Sequence, residues 1–310
     1  MKKRENNRTV DKEKRDMSIN APRSILRYHR LNSDCSTEQQ HLNVFIRIKA
    51  VFKYMIIVVS DVHLGYDRSN KEDFVSFLDK CNTQEIEHLV LLGDIFDFWR
   101  LSRADVFIKN DDVFQKLNSL QAENIHYVVG NHDFLLFKLY NEHITDYPFV
   151  ITKFLRLENG GKKFFFIHGY DLEVARRPIT IENYEKFAEH MCFNTNLYDK
   201  IASILWNYIG NISTINTRIH MAISSPHKRA SIDRVYELSV SSSVRLLLGM
   251  QSDEILVYGH THKPFIFNDK VVNTGSWVNE IPNKSFQNSY VKIVDGKIEL
   301  KYYNRENNSL

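Results

Sequence analysis

In "MIIVVSDVHLG", Met55–Gly65, five apolar residues run without a break into Ser60 and Asp61, with His63 two positions on. An uninterrupted, β-branched run of this length reads as a strand buried on both faces, as in sheets covered by helices. Its polar end places an acid and an imidazole just past the carboxyl end of a strand. Open α/β sheets collect their ligands at such ends.

The pattern recurs downstream. Further strands are read in "HLVLLG" (88–93), "IHYVVG" (125–130), "KKFFFIHG" (162–169), "EILVYGH" (254–260) and "KVVNTG" (270–275). Helices are read in "KEDFVSFLDKCN" (71–82) and "DVFQKLNSLQAEN" (112–124). Strands alternating with helices give the α/β class. The end, "SYVKIVDGKIELKYY" (289–303), is two alternating runs around Asp295-Gly296, a hairpin with a type I′-compatible turn.

Between Gly169 and about Ser252 the pattern changes to long helical stretches, "TIENYEKFAEHMCFNTNLYDKIASILWNYIG" and "SIDRVYELSVSSSVRLLLGM". These form a helical insertion or cap, about 170–252, between two core strands of a domain spanning 55–303. Residues 1–54 read as a polar, disordered extension and 304–310 as a polar tail. Met55, at the first strand, is a candidate translational start.

The chain is 310 residues long, 43% hydrophobic and 12% aromatic, enough for one large α/β domain with a substantial core. Its net charge of +3 does not argue for nucleic acid. Cys35, Cys81 and Cys192 share no metal-type spacing and suit a reduced, cytoplasmic protein. The most apolar runs are too short or too interrupted to cross a bilayer, and no apolar stretch follows the charged N-terminus. Peripheral contact with the inner face of a membrane stays open.

Five strand ends carry the metal-capable side chains. They hold Asp61 and His63, then Asp94 and Asp97, then Asn131, His132 and Asp133, then His168, then His260 and His262. One Asp-x-His after a strand is ordinarily a turn. Five such ends in one chain point to a shared site. Oxygen and imidazole donors without thiolate suit Mn, Fe, Zn or Mg, and a carboxylate such as Asp94 can bridge two ions. Asp133 reads as a residue that stabilises its turn.

D-x-H, G-D-x-x-D, G-N-H-D, H-G and G-H-T-H, in that order over roughly Met55–Tyr303, resemble the calcineurin-like metallophosphoesterase superfamily. The resemblance implies a four-layer α/β-β/α sandwich, two divalent ions (manganese first) and hydrolysis of a phosphoester or pyrophosphate by metal-activated hydroxide. One ion would take Asp61, His63, Asp94 and His262. The other would take Asp94, Asn131, His168 and His260. His132 would lie near the leaving group, oriented by Asp97, and serve as proton donor.

"GDIFDFW", "GNHDFLL", "GHTHKP" and "NTGSW" look most like the UDP-2,3-diacylglucosamine pyrophosphatase branch, which acts on a nucleotide-linked pyrophosphate in a glycolipid precursor. Two departures stand out. The best-known bacterial members have Arg where this chain has His132, and H-G-D where it has "HGYD". In the cap, Arg176 and Arg177 suit a pyrophosphate, or equally a solvated helix start. The basic "SSPHKRASIDR" reads as an exposed face, and the cap aromatics as helix packing more than an acyl groove. The partner implied is a small-molecule or lipid-linked phosphate. Alternatives are a nuclease or cyclic-nucleotide phosphodiesterase of the same superfamily, or a silent scaffold of the same fold. The absence of a basic stripe counts against nucleic acid.

Overall fold

Ile56 and Val58 face one way from the first strand, Ile57 and Val59 the other, and all four are fully buried. That alternation organises the whole molecule. The computed structural model describes residues 54–142, 149–175, 179–193, 234–279 and 287–304.

The first half contains β1 (Met55–Val59), α1 (Lys71–Cys81), β2 (His88–Leu92), α2 (Arg103–Lys109), α3 (Asp111–Ser119), β3 (Asn124–Val128), α4 (Leu135–Asn141) and β4 (Val150–Thr152). Next come β5 (Phe154–Asn159), β6 (Lys162–Ile167), α5 (Tyr170–Val174), α6 (Ile181–Phe193), α7 (Arg234–Val240) and α8 (Ser242–Leu247). The chain closes with β7 (Glu254–Tyr258), β8 (Phe265–Phe267), β9 (Val271–Asn273), β10 (Ser289–Val294) and β11 (Lys297–Tyr302).

The strands form two sheets, ordered β11-β10-β1-β2-β3-β4 and β5-β6-β7-β9-β8. β1 to β4 are parallel, as are β6, β7 and β9. The inner residues Ile56, Val58, Val90, Leu92 and Val128 of the first sheet share a core with Phe164, Phe166, Ile255 and Val257 of the second. Ile57, Val59, Leu89 and Leu91 turn outward to a helical layer containing Phe74 and Phe77 of α1. Phe165, Ile167, Leu256 and Tyr258 turn outward to Leu172, Leu238 and Val244 of α5, α7 and α8. The result is a four-layer α/β-β/α sandwich. Each fully buried Ile, Leu or Phe in it contributes about 1.5–3 kcal/mol.

Local chemistry explains the elements. Phe74, Phe77, Leu78 and Cys81 form the buried stripe of α1 at i, i+3, i+4 and i+7, with Glu72 and Asp73 in its first turn and Lys80 in its last. At the closing hairpin Val294 pairs with Lys297, and Asp295 and Gly296 have φ of 51° and 72°, as a type I′ turn requires.

Several expectations need correction. The helix read over 112–124 is α3, which ends at Ser119; Leu120 is extended, and Asn124 already belongs to β3. The stretch read as one helix over 231–250 is two, because Ser241 is extended (ψ 123°) between α7 and α8. The strands β4, β5 and β8 and the helices α2 and α4 are additions to the elements expected from the sequence. Four described helices, α5 to α8, lie between β6 and β7. Much of the segment read as a cap lies outside the described residues, as do all but Tyr54 of the extension read over 1–54 and all but Asn304 of the tail read over 304–310.

Candidate metal centre

β1, β2 and β3 run parallel in one sheet and β6 and β7 in the other, so each sheet presents its carboxyl ends along one edge. The side chains just beyond those five ends converge. Asp61, His63 and His262 place ligand atoms within 4.8 Å of one another, and so do Asp94, His168 and His260. Asp61, Asp94, Asn131, His63 and His168 are buried. A third grouping joins His63, Asp94 and His132, although one nitrogen of His132 is taken by Asp97.

The backbone is bent to achieve this. Asp61, His63, Asp94, His260 and His262 all have positive φ, between 52° and 65°. Non-glycine residues adopt that region at a cost of order 1–3 kcal/mol, and such strain gathers at functional sites. Two glycines make room. A Cβ on Gly130 would stand 2.1 Å from Asp94 Oδ1, and one on Gly259 would stand 2.4 Å from Asp61 Oδ2.

Hydrogen bonds then aim each ligand. His168 Nδ1 donates to the Leu92 carbonyl at 3.0 Å, which turns Nε2 toward Asp94 Oδ2 at 3.1 Å and Asp61 Oδ1 at 4.0 Å. His63 Nδ1 lies 3.1 Å from Asp97 Oδ2, leaving Nε2 3.2 Å from His262 Nε2. Asp61 Oδ2 accepts from the His260 amide at 2.9 Å and from the Ser60 hydroxyl, so Oδ1 is the free edge. Asp94 Oδ1 accepts from the His132 amide at 2.7 Å.

Among the described residues Asp61 Oδ1, Asn131 Oδ1 and His168 Nε2 have no well-formed hydrogen bond, His168 Nε2 having only the Asp94 carboxylate at 3.1 Å beside it. Leaving a buried polar atom unsatisfied costs about 1–3 kcal/mol. Two oxygen acceptors and an imidazole nitrogen, all buried at one place, fit a divalent cation. Electrostatics agree. Burial opposes a charge on His168, yet Asp94 and Asp61 pull its pKa up to about 10. Burial likewise opposes ionisation of Asp61, but His168 and His262 hold it below the ordinary range. The site collects positive charge.

Beside it, His132 Nδ1 donates to Asp97 Oδ1 at 3.0 Å, and its ring stacks on Trp99 at 4.2 Å between centroids. Burial would lower the His132 pKa, but Asp97 and Asp94 outweigh it and the net direction is up. Burial also works against Asp97, and His132 and His63 carry it well below the usual carboxylate range. A cleft of about 110 Å³ opens here, lined by His63, Tyr66, Asp94, Arg100, Asn131, His132, His260 and His262.

Asp133, read as a turn residue, accepts from the amides of Ile95 (2.9 Å) and Gly130 (2.7 Å) and from Tyr127 Oη (2.5 Å). It ties the ends of β2 and β3 together. The sequence reading did not single out Ser60, Arg100 or Glu173. Glu173 Oε2 lies 2.7 Å from His260 Nε2. Arg100 follows Asp97 by three positions, a spacing that could have flagged it; Glu173 carried no such signal. Arg176 and Arg177 lie outside the described residues.

A model of the calcineurin-like phosphoesterase domain matches residues 54–264. The chain belongs to the calcineurin-like phosphoesterase family. It is a hydrolase of phosphoester bonds, and the family implies divalent metal ions, for which the ligand groups above are candidates. Among relatives, the UDP-2,3-diacylglucosamine hydrolase of Blochmanniella pennsylvanica is 26% identical over 223 residues, covering 68% of this phosphoesterase and 80% of that protein. The UDP-2,3-diacylglucosamine hydrolase of Photorhabdus laumondii is 23% identical, covering 79% and 97%. Among solved structures, a dimetal phosphatase from Danio rerio aligns at 13% identity and TM-score 0.41, over 81% of this chain and 99% of that one. A score that low adds nothing to the family assignment. No helix of the described residues is long and apolar enough to cross a membrane.

Proposed function

We propose that this phosphoesterase hydrolyses a pyrophosphate bond in a nucleotide-linked or lipid-linked substrate resembling UDP-2,3-diacylglucosamine. The observation that carries the reaction class is the convergence of Asp61 Oδ1, Asn131 Oδ1 and His168 Nε2, buried and without well-formed hydrogen bonds among the described residues. The substrate class is supported by the relatives' names and by the motifs "GNHDFLL" and "NTGSW".

Asp61, His63, Asp94 and His262 would hold one ion and Asp94, Asn131, His168 and His260 the other. Manganese is the first candidate, with Fe, Zn and Mg as alternatives for these donors. When bound, divalent ions supply Lewis acidity, neutralising phosphoryl charge and lowering the pKa of water. The protein's own part is positional. Leu92 and Asp97 fix the tautomers of His168 and His63, so each presents Nε2 to the other candidate ligands. His132, held by Asp97 through Nδ1, keeps a proton at Nε2 for the departing oxygen. Trp99 against its face restricts the ring to that orientation.

The test is a panel of UDP-diacylglucosamine, a CDP-lipid, a UDP-sugar and a phosphomonoester, with Mn2+ present, measuring release of nucleoside monophosphate from the first three and of inorganic phosphate from the last. The lipid-linked pyrophosphate is expected to be cleaved with the highest kcat/KM. Cleavage of the phosphomonoester alone would overturn the substrate assignment while leaving the reaction class intact.

A further inference from the structure

Arg100 enters the cleft without being needed by the group it pairs with. Asp97 is fully buried and accepts from His132 Nδ1 (3.0 Å), His63 Nδ1 (3.1 Å) and the amides of Trp99 and Arg100 (3.2 Å each). Those four donors satisfy both carboxylate oxygens. The Arg100 guanidinium nevertheless adds a fifth contact, through one terminal nitrogen to Asp97 Oδ2.

A guanidinium carries five N–H donors in a planar fork. In Arg100 the plane is steadied by Tyr66, whose ring centroid lies 4.1 Å from the guanidinium carbon. The side chain is 41% exposed and lines the same cleft as Asp94, Asn131 and His132. The Arg100 cation therefore sits at the cleft, oriented from two sides, with most of its donors uncommitted among the described residues. A guanidinium in that position is suited to an anion at the cleft.

We infer that Arg100 is the subsite for the second, non-reacting phosphate of a diphosphate substrate, gripping its oxygens while the first phosphate lies at the ligand cluster. This rests on the proposed function insofar as the substrate contains two linked phosphates. Arginine suits the task because its fork matches two phosphate oxygens at once. It also bears on His132, the position where the best-known members of the resembling branch carry arginine. Here imidazole and guanidinium share one carboxylate, so the positive charge is supplied from three residues after Asp97.

The test uses the full chain with saturating Mn2+ and bis-p-nitrophenyl phosphate as reporter substrate. UDP and UMP are compared as inhibitors; they differ by one phosphate. Wild-type protein is expected to bind UDP more tightly than UMP. In Arg100→Gln that preference should fall about tenfold, the scale of one charge-assisted hydrogen-bonded contact. Arg100→Lys, which keeps the charge and loses the fork, should fall between. The ratio of inhibition constants cancels any change in basal rate, so a general disturbance of Asp97 or His132 would not mimic the effect. Equal inhibition of wild-type protein by UDP and UMP, or an unchanged ratio in Arg100→Gln, would overturn the assignment. The substrate panel is separate, so failure of the substrate class is read there and not here.

Discussion

The same two strands end in histidines of opposite character. Just past the carboxyl ends of β2 and β3, His132 pairs with Asp97, and burial is outweighed by carboxylates, so its pKa rises. Near their amino ends, His88 and His126 meet each other instead, Nδ1 to Nε2 at 2.9 Å. There burial, and then His126, push His88 down to about 4, and burial lowers His126 as well. Glu87 lies 3.8 Å from His88 but is itself pushed up by burial and by Glu123. Partly buried imidazole by itself repels protons; imidazole backed by ionised carboxylate gathers them, and gathers cations for the same reason. What distinguishes the candidate metal centre from an ordinary histidine pair is its acids.

Asp94 is the acid shared by both proposed ligand sets, so removing it should break the contrast most. Asp94→Ala is expected to lower Mn2+-dependent hydrolysis by about 10⁴-fold or more. Elemental analysis after dialysis should show less bound metal. Full metal content with full activity would remove Asp94 from the centre.

His132→Asn should be milder, a loss of about a hundredfold in kcat, with metal content retained. The pH profile separates the roles. Because its pKa is raised, the wild-type rate should decline as pH rises through that value, and the variant should lack the decline. A variant that loses metal instead would make His132 a ligand.

Stability of metal-free protein gives a third, smaller effect. The folded-state pKa of His168, about 10, lies above the unfolded value near 6.5, so its contribution is fully present below 6.5 and is lost as pH rises toward 10. Melting of the chelator-treated protein should fall by roughly 5 °C or more between pH 7 and pH 10. Added Mn2+ should restore it, and His168→Gln should flatten the slope.

His88 has the opposite sign. With a folded pKa near 4, the unfolded state binds the proton more readily, and stability is lost as pH falls from 6.5 toward 4. His88→Gln should shrink the drop in melting temperature between pH 7 and pH 4.5 by about 2 °C. An imidazole resonance of His88 titrating near 6.5 would contradict the pairing with His126.

Much of this is legible in the amino-acid sequence. β1, β2, β3, β6 and β7 announce themselves because parallel strands covered on both faces must be apolar throughout, and the polar residues that end them stand out by contrast. The closing hairpin was legible from Asp295-Gly296. β4 and β8 were not, at three residues each; so short a run has no period, and its pairing is chosen by the neighbouring strand. Ser241 opens a run of serines, a residue that favours caps and turns, and it is the N-cap of α8; the apolar residues on either side suggested one continuous helix and hid that break.

The site divides along the same line. Residue types and their order after each strand pointed to Asp61, His63, Asp94, Asn131, His168, His260 and His262, because metal-capable donors at strand ends are chemistry written in one dimension. Their aim was decided only by packing. Left-handed backbone at five of those seven residues runs against local preference and persists because both sheets clamp it. Which oxygen of Asp61 is free depends on Ser60 and the His260 amide, almost 200 positions away. The approach of Glu173 to His260 and of Arg100 to the cleft follows from the layering of helix on sheet. Composition and periodicity tell a chain which faces to bury; the directions of the remaining polar atoms follow from what those buried faces meet.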